Sequence, residues 1–298
     1  MFQNSSKAYR IYRKLTDEEK EIIKDKKLSG KHSIREWDRK LSHIAMMDTY
    51  ADKARQGLSP MMFVAGFILL FAIIMSFNTE SILVLVISAL LAAAIGAMIY
   101  LYRLFNKINV GNQLRLFIIP TLRMLSTKVG KRQRLEMDLD LALANDQNYF
   151  ENAIEDNNPE NKRLRSMTTK SFRIPWLKAK VVLVDGSLLV WENEDLVNER
   201  NVIKHHKGKR KTKYKIKHRA KIHLLMPKSR YQLVAQPDEA IQVHETNKHY
   251  ALSLKGKEKT IRDPNLQGDT FKSMNPKYFT GLLIKAYQQV EPLKTPTA

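Results

Sequence analysis

Two apolar segments, residues 60–77 and 82–102, dominate the pattern of hydrophobic and polar positions, and neither contains a charged residue. A short polar connector, residues 78–81, separates them. A helix needs about 20 apolar residues to cross a hydrocarbon core of about 30 Å, and each segment is close to that length. The pattern therefore predicts a transmembrane helical hairpin over residues 60–102. Buried core helices of a soluble protein are the alternative.

Two capping-box patterns precede the hairpin and predict where two helices begin. They are Thr16 with Glu19 and Ser33 with Glu36. The first helix is expected to end at Gly30 and the second at Gly57, because glycine favours the position that follows a helix. Residues 1–58 are therefore predicted to form cytosolic helices ahead of the membrane.

A third helical pattern follows the hairpin, in residues 111–127. Its apolar side consists of Leu114, Phe117, Ile118, Leu122 and Leu125. Arg115 and Arg123 are available to lipid phosphates, so we expect an amphipathic helix at the membrane surface, within a membrane-proximal region of residues 103–130. Packing on the cytosolic domain is the alternative, because Pro120 would kink a continuous helix.

The period changes from helix to strand at residue 135, near the start of a predicted cytosolic domain of residues 131–298. In residues 135–143, leucine and methionine alternate with Glu136, Asp138 and Asp140. This alternation predicts a half-buried strand with an acidic face. Further on, Asp185 and Gly186 lie between two apolar runs and suit a type I′ hairpin turn.

More strands are predicted towards the carboxyl end, at residues 211–225, 231–235, 241–244 and 250–255. Because their connections are short, the sheet is expected to be mostly antiparallel, as a small barrel or sandwich. Asn275 and Pro276 then begin a terminal helix that closes the domain. The predicted fold is an α+β membrane protein with a transmembrane hairpin, flanking cytosolic helices and a C-terminal β domain.

Charge predicts the orientation of the hairpin. The chain has 298 residues, a formal net charge of +21 and a pI near 9.9. Lys53 and Arg55 precede the hairpin and further cations follow it, while the connector carries only Glu80. Both termini are therefore expected in the cytoplasm, at the inner membrane of a bacterium. The residues predicted to contact the membrane surface are Arg103, Lys107, Arg115, Arg123, Lys128, Lys131 and Arg132.

The hairpin is expected to act as an anchor in the lipid bilayer. It carries none of the ionisable groups that pumps and ion pathways place within the membrane, so a transporter is disfavoured. Ala89, Ala93 and Gly96 put small residues on one side of the second helix, where another helix can approach closely. We favour packing against the first helix of the same chain; contact between copies in a homo-oligomer is the alternative.

The most densely charged stretch is residues 204–221, which contain no acidic residue. Because side chains alternate across a strand, its basic residues are expected to share one face. The candidates for binding an anionic partner are Lys207, Lys209, Arg210, Lys211, Lys213, Lys215, Lys217, Arg219 and Lys221. Three interpretations stay open. The strand is solvated or matched by Glu136, Asp138 and Asp140 on a neighbouring strand, or it binds a phosphate-bearing partner, or it binds an acidic protein.

Sequence motifs for catalysis are not found: the chain has no phosphate-binding glycine loop, no nucleophile elbow and no zinc-protease helix. It has no cysteine, which excludes disulfides and thiolate sites, and its histidines lack metal-ligand spacing. No catalytic residue, metal site or cofactor is therefore predicted.

The first functional hypothesis is a non-enzymatic membrane-anchored scaffold. Its basic β domain engages nucleic acid, anionic lipid or an acidic protein at the inner membrane, within a larger complex. The first alternative is a signal-gated effector, whose β domain senses a phosphorylated small molecule and whose hairpin oligomerises. An enzyme acting on lipid headgroups is a second alternative, which the missing motifs disfavour.

Overall fold

The computed structural model describes residues 2–79, 82–142, 146–157, 160, 164–205, 208–234, 238, 241–258, 261–263 and 273–293. The chain divides into two compact units. Met1–Asp25 and His43–Val110 form the helical unit, and Lys26–Ser42 and Gly111–Ala298 form the sheet unit. Two long apolar helices followed by an antiparallel sheet confirm the predicted α+β class.

Four helices account for the helical unit. They are α1 (Phe2–Lys14), α2 (Asp17–Asp25), α3 (Ile34–Thr79, whose first residues belong to the sheet unit) and α4 (Ile82–Lys107). The capping box at α2 is confirmed, since Thr16 N donates to Glu19 Oε2 at 2.8 Å and Glu19 N to Thr16 Oγ1 at 3.2 Å. Helix α1 was not predicted.

Helix α2 does not end at Gly30, as the sequence pattern suggested. It ends at Asp25, and Lys26 takes the left-handed conformation, with φ 56°, that usually falls to glycine after a helix. Gly30 instead lies within strand β1 (Lys27–His32), which pairs with the acidic strand predicted from residue 135. Residues 1–58 are therefore not helical throughout.

Helix α3 begins at the second predicted capping box, where Ser33 N donates to Glu36 Oε2 at 2.8 Å. It does not end at Gly57, because the helix continues through Gly57 and Pro60 to Thr79. Buried side chains before Gly57 and a long apolar run after it outweigh the roughly 1 kcal/mol by which glycine disfavours a helix. Helices α3 and α4 are both long and apolar enough to cross a membrane.

A buried polar cluster joins α3 to the end of α4. Arg55 donates to Asn106 Oδ1 and Asn109 Oδ1, each at 3.0 Å, and forms an ion pair with Asp52. One turn away, Asp48 accepts a bond of 3.1 Å from the backbone N–H of Val110. The sequence pattern counted Arg55 among the cations flanking the membrane, but it is only 7% exposed and already paired.

The small-residue side of α4 is its exposed side. Ala89, Ala93 and Gly96 are exposed, and a side-chain carbon built on Gly96 meets no atom within 4 Å. The half-buried side of α4 is instead the one that carries Val84, Ser88, Leu91, Ile95 and Met98. Packing of the small residues against the first helix stays a prediction.

The sheet unit contains one nine-stranded antiparallel sheet. Besides β1, its strands are β2 (Leu135–Asp140), β3 (Phe150–Asp156), β4 (Leu164–Val182), β5 (Leu188–Lys204), β6 (Arg210–Pro227), β8 (Gln242–Glu245), β9 (His249–Lys257) and β10 (Ile261–Asp263). The order is β1-β2-β4-β5-β6-β9-β8, with β3 against β4 and β10 against β6. Strands β7 (Tyr231–Leu233) and β11 (Val290–Pro292) form a separate pair.

The predicted barrel or sandwich is not what the sheet forms. Among the described strands, β1 and β8 end the order without pairing to each other, so the sheet stays open. The long strand at 211–225 and the short ones after it are confirmed within a few residues. The sequence pattern missed β1, β3 and most of β4, whose mixed polar residues lack a clean period.

Helices cover one face of the sheet. A π-helical turn (Leu114–Ile118) leads into α5 (Ile119–Leu125), and α6 (Pro276–Tyr287) comes from the carboxyl end. Phe117 contacts Trp176 at 5.3 Å and Phe279 at 6.1 Å between ring centroids, and Trp191 contacts Phe279 at 5.6 Å. The apolar side predicted for a membrane surface thus packs on the sheet, which was the alternative, and Pro120 lies in the first turn of α5.

Two glycines set local geometry in this unit. In the β4–β5 hairpin, Gly186 has φ 82° but Asp185 does not have a positive φ, so the turn is not type I′ as predicted. Leu183 and Ser187 close a three-residue loop instead. At Gly256, a side-chain carbon would lie 2.5 Å from the hydroxyl of Tyr278, so glycine lets α6 approach β9.

Candidate functional site

The basic strand β6 alternates between two faces as the sequence predicts. The side chains of Ile216, His218, Ala220, Ile222 and Leu224 are buried on the face that packs under the helices. Of the candidate residues, Lys209, Arg210, Lys211, Lys213 and Lys215 are exposed and Lys217, Arg219 and Lys221 are half-buried. Lys207 lies outside the described residues. We call the face that carries these cations the open face.

Strand β6 has two halves with different surroundings. In the far half, residues 210–215, no side chain is buried, so this part of the sheet is solvated on both faces. In the near half, residues 216–227, every second side chain is buried and the alternate ones are half-buried. Only the near half is therefore fixed over a packed core.

The acidic partners of β6 are not the ones that the sequence suggested. Asp138 and Glu136 lie opposite Lys178 and Lys180 of β4, two strands away from β6. Strand β6 instead pairs with β5, where Glu192 is opposite Lys221, Glu194 is opposite Arg219 and Glu199 is opposite Tyr214. Acids do lie opposite part of the basic strand, but they belong to β5 and not to the strand that carries Glu136, Asp138 and Asp140.

A concave cavity of about 790 Å³ lies on the open face. Its charged lining residues are Lys27, Asp138, Asp140, Lys178, Glu192, Glu194, Arg219, Lys221, Lys255 and Lys257. The other lining residues are Pro175 and residues that alternate with the charged ones along the same strands. The structure thus brings Arg219 and Lys221 of the candidate set into one site and leaves Lys209–Lys217 outside it.

Ion pairs neutralise part of this lining. Arg219 Nη1 lies 3.0 Å from Glu194 Oε1, Lys178 Nζ lies 3.7 Å from Glu192 Oε1, and Lys27 Nζ lies 3.8 Å from Asp140 Oδ2. Each of these pairs joins neighbouring strands. Charges opposite each other in this way contribute about 0.2–1 kcal/mol per pair.

Three lysines of the lining, Lys221, Lys255 and Lys257, make no ion pair with any residue that the structure describes, although Glu192 is opposite Lys221 on β5. Lys221 is directly opposite Lys255 in the β6–β9 register, and Arg219 is directly opposite Lys257. Directly opposed like charges destabilise a sheet. The buried Nε of Arg219 also lacks a hydrogen-bond partner within the described part of the chain. We call Lys221, Lys255 and Lys257 the lysine cluster.

The field of the cluster reaches a neighbouring histidine. Burial lowers the pKa of His223, and the positive charges of Lys221 and Lys255 lower it further, although Glu192 acts in the opposite direction. His223 therefore reports on the local excess of positive charge.

Behind the open face, a polar network lies within the core. Asp195 is fully buried, and its Oδ1 accepts from Trp176 Nε1 at 3.0 Å and lies 2.7 Å from His218 Nδ1. Gln113 Nε2 lies 3.5 Å from the other carboxylate oxygen. These bonds tie β4, β5 and β6 together beneath the cavity, so we assign the network a structural role.

The Asp185 carboxylate forms hydrogen bonds within the hairpin turn and with two tyrosines outside it. Its Oδ2 accepts from Tyr231 at 2.7 Å and from Tyr287 at 2.6 Å, and its Oδ1 accepts from the Ser187 N–H at 2.9 Å. Burial would raise the pKa of Asp185, but these bonds outweigh it and lower the pKa. Burial and the bond to Asp185 raise the pKa of Tyr231 to about 12. The turn is thereby fixed to β7 and to the end of α6.

The residues predicted to contact the membrane surface fall in both units. Arg103 and Lys107 are exposed at the end of α4; Lys128, Lys131 and Arg132 are exposed in the sheet unit. Arg123 donates to Asp38 Oδ1 at 3.1 Å, and Arg115 donates to Asn112 Oδ1 at 2.6 Å. Contact of these residues with lipid stays a prediction.

Sequence reasoning missed the part of the site on β9 and β5. The alternation of Leu252 and Leu254 with polar residues already placed Lys255 and Lys257 on a polar face, so that signal was present. The register that puts them opposite Lys221 and Arg219 has no local signal. Among the residues that the structure describes, no three His, Asp or Glu side chains come together to hold a metal ion.

Comparison with known proteins finds no family model, no curated protein and no solved structure that matches this chain.

Proposed function

We propose that this chain is a membrane-anchored, non-enzymatic binding protein that engages an anionic partner on the open face of its sheet. The two apolar helices anchor it in the inner membrane of a bacterium, with both termini in the cytoplasm. The anionic partner lies against the near half of β6 and the adjoining β9. In this proposal the protein holds its partner at the membrane, as part of a larger assembly.

The observation that carries the proposal is the lysine cluster. Lys221 and Lys255 lie directly opposite each other on paired strands of a packed sheet, and like charges in this position repel. Their repulsion is relieved by an anion that bridges them.

The membrane part of the proposal rests on the exposure of the apolar side chains of α3 and α4. The apolar side chains of α3 and α4 include Phe67, 69% exposed, and Leu85, 64% exposed. Only 6% and 11% of the most apolar windows of these helices are buried, unlike the core helices of a soluble protein. A bilayer covers such surfaces.

Binding to three anionic partners tests the proposal. Full-length protein in phosphatidylcholine nanodiscs is titrated with single-stranded RNA, with duplex DNA and with phosphatidylglycerol vesicles across a salt series. Three variants each remove three positive charges. They are the cluster variant (Lys221→Gln, Lys255→Gln and Lys257→Gln), the far-strand variant (Lys211→Gln, Lys213→Gln and Lys215→Gln) and a control (Lys248→Gln, Lys277→Gln and Lys285→Gln).

The cluster variant is expected to weaken salt-sensitive binding by about tenfold or more, since each charged hydrogen bond contributes about 1.5–3 kcal/mol. The control should bind as the wild type does. A partner that extends along the whole strand weakens in the far-strand variant too, whereas a partner confined to the cavity does not. Equal affinity of the cluster variant and the wild type for every partner, small phosphorylated ones included, would contradict the proposal.

A second candidate function is a signal-gated effector that oligomerises through its hairpin. The exposed small residues Ala89, Ala93 and Gly96 favour it, because they form a side of α4 that no helix in the described part of the chain covers. Crosslinking of full-length protein in nanodiscs, with and without an anionic ligand, tests it. Substitution of Gly96 by leucine should abolish any ligand-dependent dimer.

A further inference from the structure

The cavity on the open face has the dimensions of a small-molecule site. Its volume of about 790 Å³ falls within the range of roughly 300–1,000 Å³ that is typical of ligand pockets. It is concave and is formed by six strands, from β1 to β9, which fix the positions of its lining residues. A binding surface for a long polymer is usually an open groove instead.

The charges of the cavity are divided between its two sides. The lysine cluster lies on β6 and β9, and the acids lie on β2 and β5, where Lys27 and Lys178 neutralise Asp140 and Glu192. Asp138 makes no ion pair with a described residue, so an unpaired carboxylate faces the unpaired lysines across the cavity. Strand β2 is three strand spacings from β6, or about 14 Å.

This division limits the length of an anionic ligand. A nucleic acid that crossed the cavity from the lysine cluster would bring further phosphates towards Asp138, which makes no ion pair with a described residue and repels them. A small molecule with phosphate at one end and hydroxyl or amino groups at the other meets complementary charge at both ends. None of the lining side chains is aromatic, so recognition depends on phosphate and polar groups and not on stacking.

We propose that the cavity is a binding site for a phosphorylated small molecule, whose phosphate lies against Lys221, Lys255 and Lys257. Arg219 is held by Glu194 at the edge of the cluster and adds a further positive charge there. The hydroxyl or amino groups of the ligand point towards Asp138 and Glu192. This inference rests on the proposed function, and it narrows the anionic partner to one chemical class.

Inorganic pyrophosphate is the probe, because it carries the chemistry that every ligand of this class shares. Full-length protein is purified in dodecyl maltoside, a detergent without phosphorus, and the phosphorus NMR line of pyrophosphate is followed as protein is added. The line should broaden with wild-type protein and with the control variant. The cluster variant should weaken pyrophosphate binding at least about tenfold. Arg219→Lys, which keeps the charge and loses the guanidinium group, should weaken it by a smaller factor.

The outcomes separate this inference from the proposed function. If RNA, DNA or vesicles bind through the lysine cluster while pyrophosphate does not broaden, the protein is an anion-binding protein but the small-molecule site is refuted. If pyrophosphate binds equally to the cluster variant and the wild type, the site is refuted as well. If no anion binds at all, both the small-molecule site and the proposed function are refuted. Thermal unfolding of the cluster variant confirms that it folds before any loss is interpreted.

Discussion

The two halves of β6 carry similar charge in different surroundings. The far half has Arg210, Lys211, Lys213 and Lys215 on a ribbon whose side chains are exposed or half-buried on both faces. The near half places fewer cations over the packed core, where the fully buried Ile222 and Leu224 fix the backbone. Charge density is thus highest where the structure holds it least firmly.

The comparison shows that the density of charge does not locate a site. Lysines on a solvated strand point into water, and such residues commonly protect sheets from edge-to-edge association. In the near half, the backbone holds Lys221 opposite Lys255, and the nearby carboxylates are already bonded to other cations. Unpaired charge in a fixed position is the feature that indicates a ligand.

The largest expected difference between the halves concerns stability, and Asp195→Ala tests it. This change leaves Trp176 Nε1 and the ring of His218 without their buried partner. Removal of one member of a buried pair costs about 3–5 kcal/mol. In the far half, Thr212→Ala removes an exposed bond of 2.6 Å to Asn201 and should change stability by less than about 0.5 kcal/mol.

Tryptophan fluorescence measures this difference selectively. The three tryptophans of the chain are Trp37, Trp176 and Trp191, and all are buried in the sheet unit. Thermal or denaturant unfolding of full-length protein in detergent therefore reports on the sheet. If Asp195→Ala does not fold, Asp195→Asn, which keeps an acceptor oxygen, should show a smaller loss. Equal effects of the two sites would contradict the division into halves.

Several elements of the fold could be predicted because their signals are local. The capping boxes at Thr16 and Ser33, the Asn275 cap of α6 and the alternation along β6 all depend on residues within one turn or strand. The uncharged length of residues 60–102 is equally local. These features need no knowledge of the rest of the chain.

The predictions that were wrong concerned features that depend on strands far away in the sequence. Strand β1 follows a helix and forms because β2, more than a hundred residues later, pairs with it. The acids opposite β6 come from β5 and not from β2, since only the sheet order decides which strands are neighbours. Lys255 and Lys257 belong to the site for the same reason. Strand register, which determines the site, is the information that a single sequence carries least directly.

The cluster variant is expected to change stability less than Asp195→Ala does. Because Lys221 and Lys255 repel each other in the absence of a ligand, the cluster variant should be more stable than the wild type by about 0.2–1 kcal/mol. For a unit of this size, that raises the melting temperature by about 1–3 °C. The control should melt within error of the wild type. A cluster variant that melts earlier would mean that these lysines stabilise the sheet and are not strained.

The smallest effect, and the most local, is expected at His223. Its pKa is lowered by burial and then by the charges of Lys221 and Lys255, so an anion bound to those lysines should raise the pKa towards its ordinary value. The raised pKa means that the bound state holds the proton more tightly, and by linkage the protonated form of His223 binds the anion better.

Proton NMR titration of the histidine rings, with and without pyrophosphate, measures the shift in the pKa of His223, and His223→Gln identifies its signal. A His223 pKa that stays constant while pyrophosphate binds would place the anion elsewhere, away from the near half of β6.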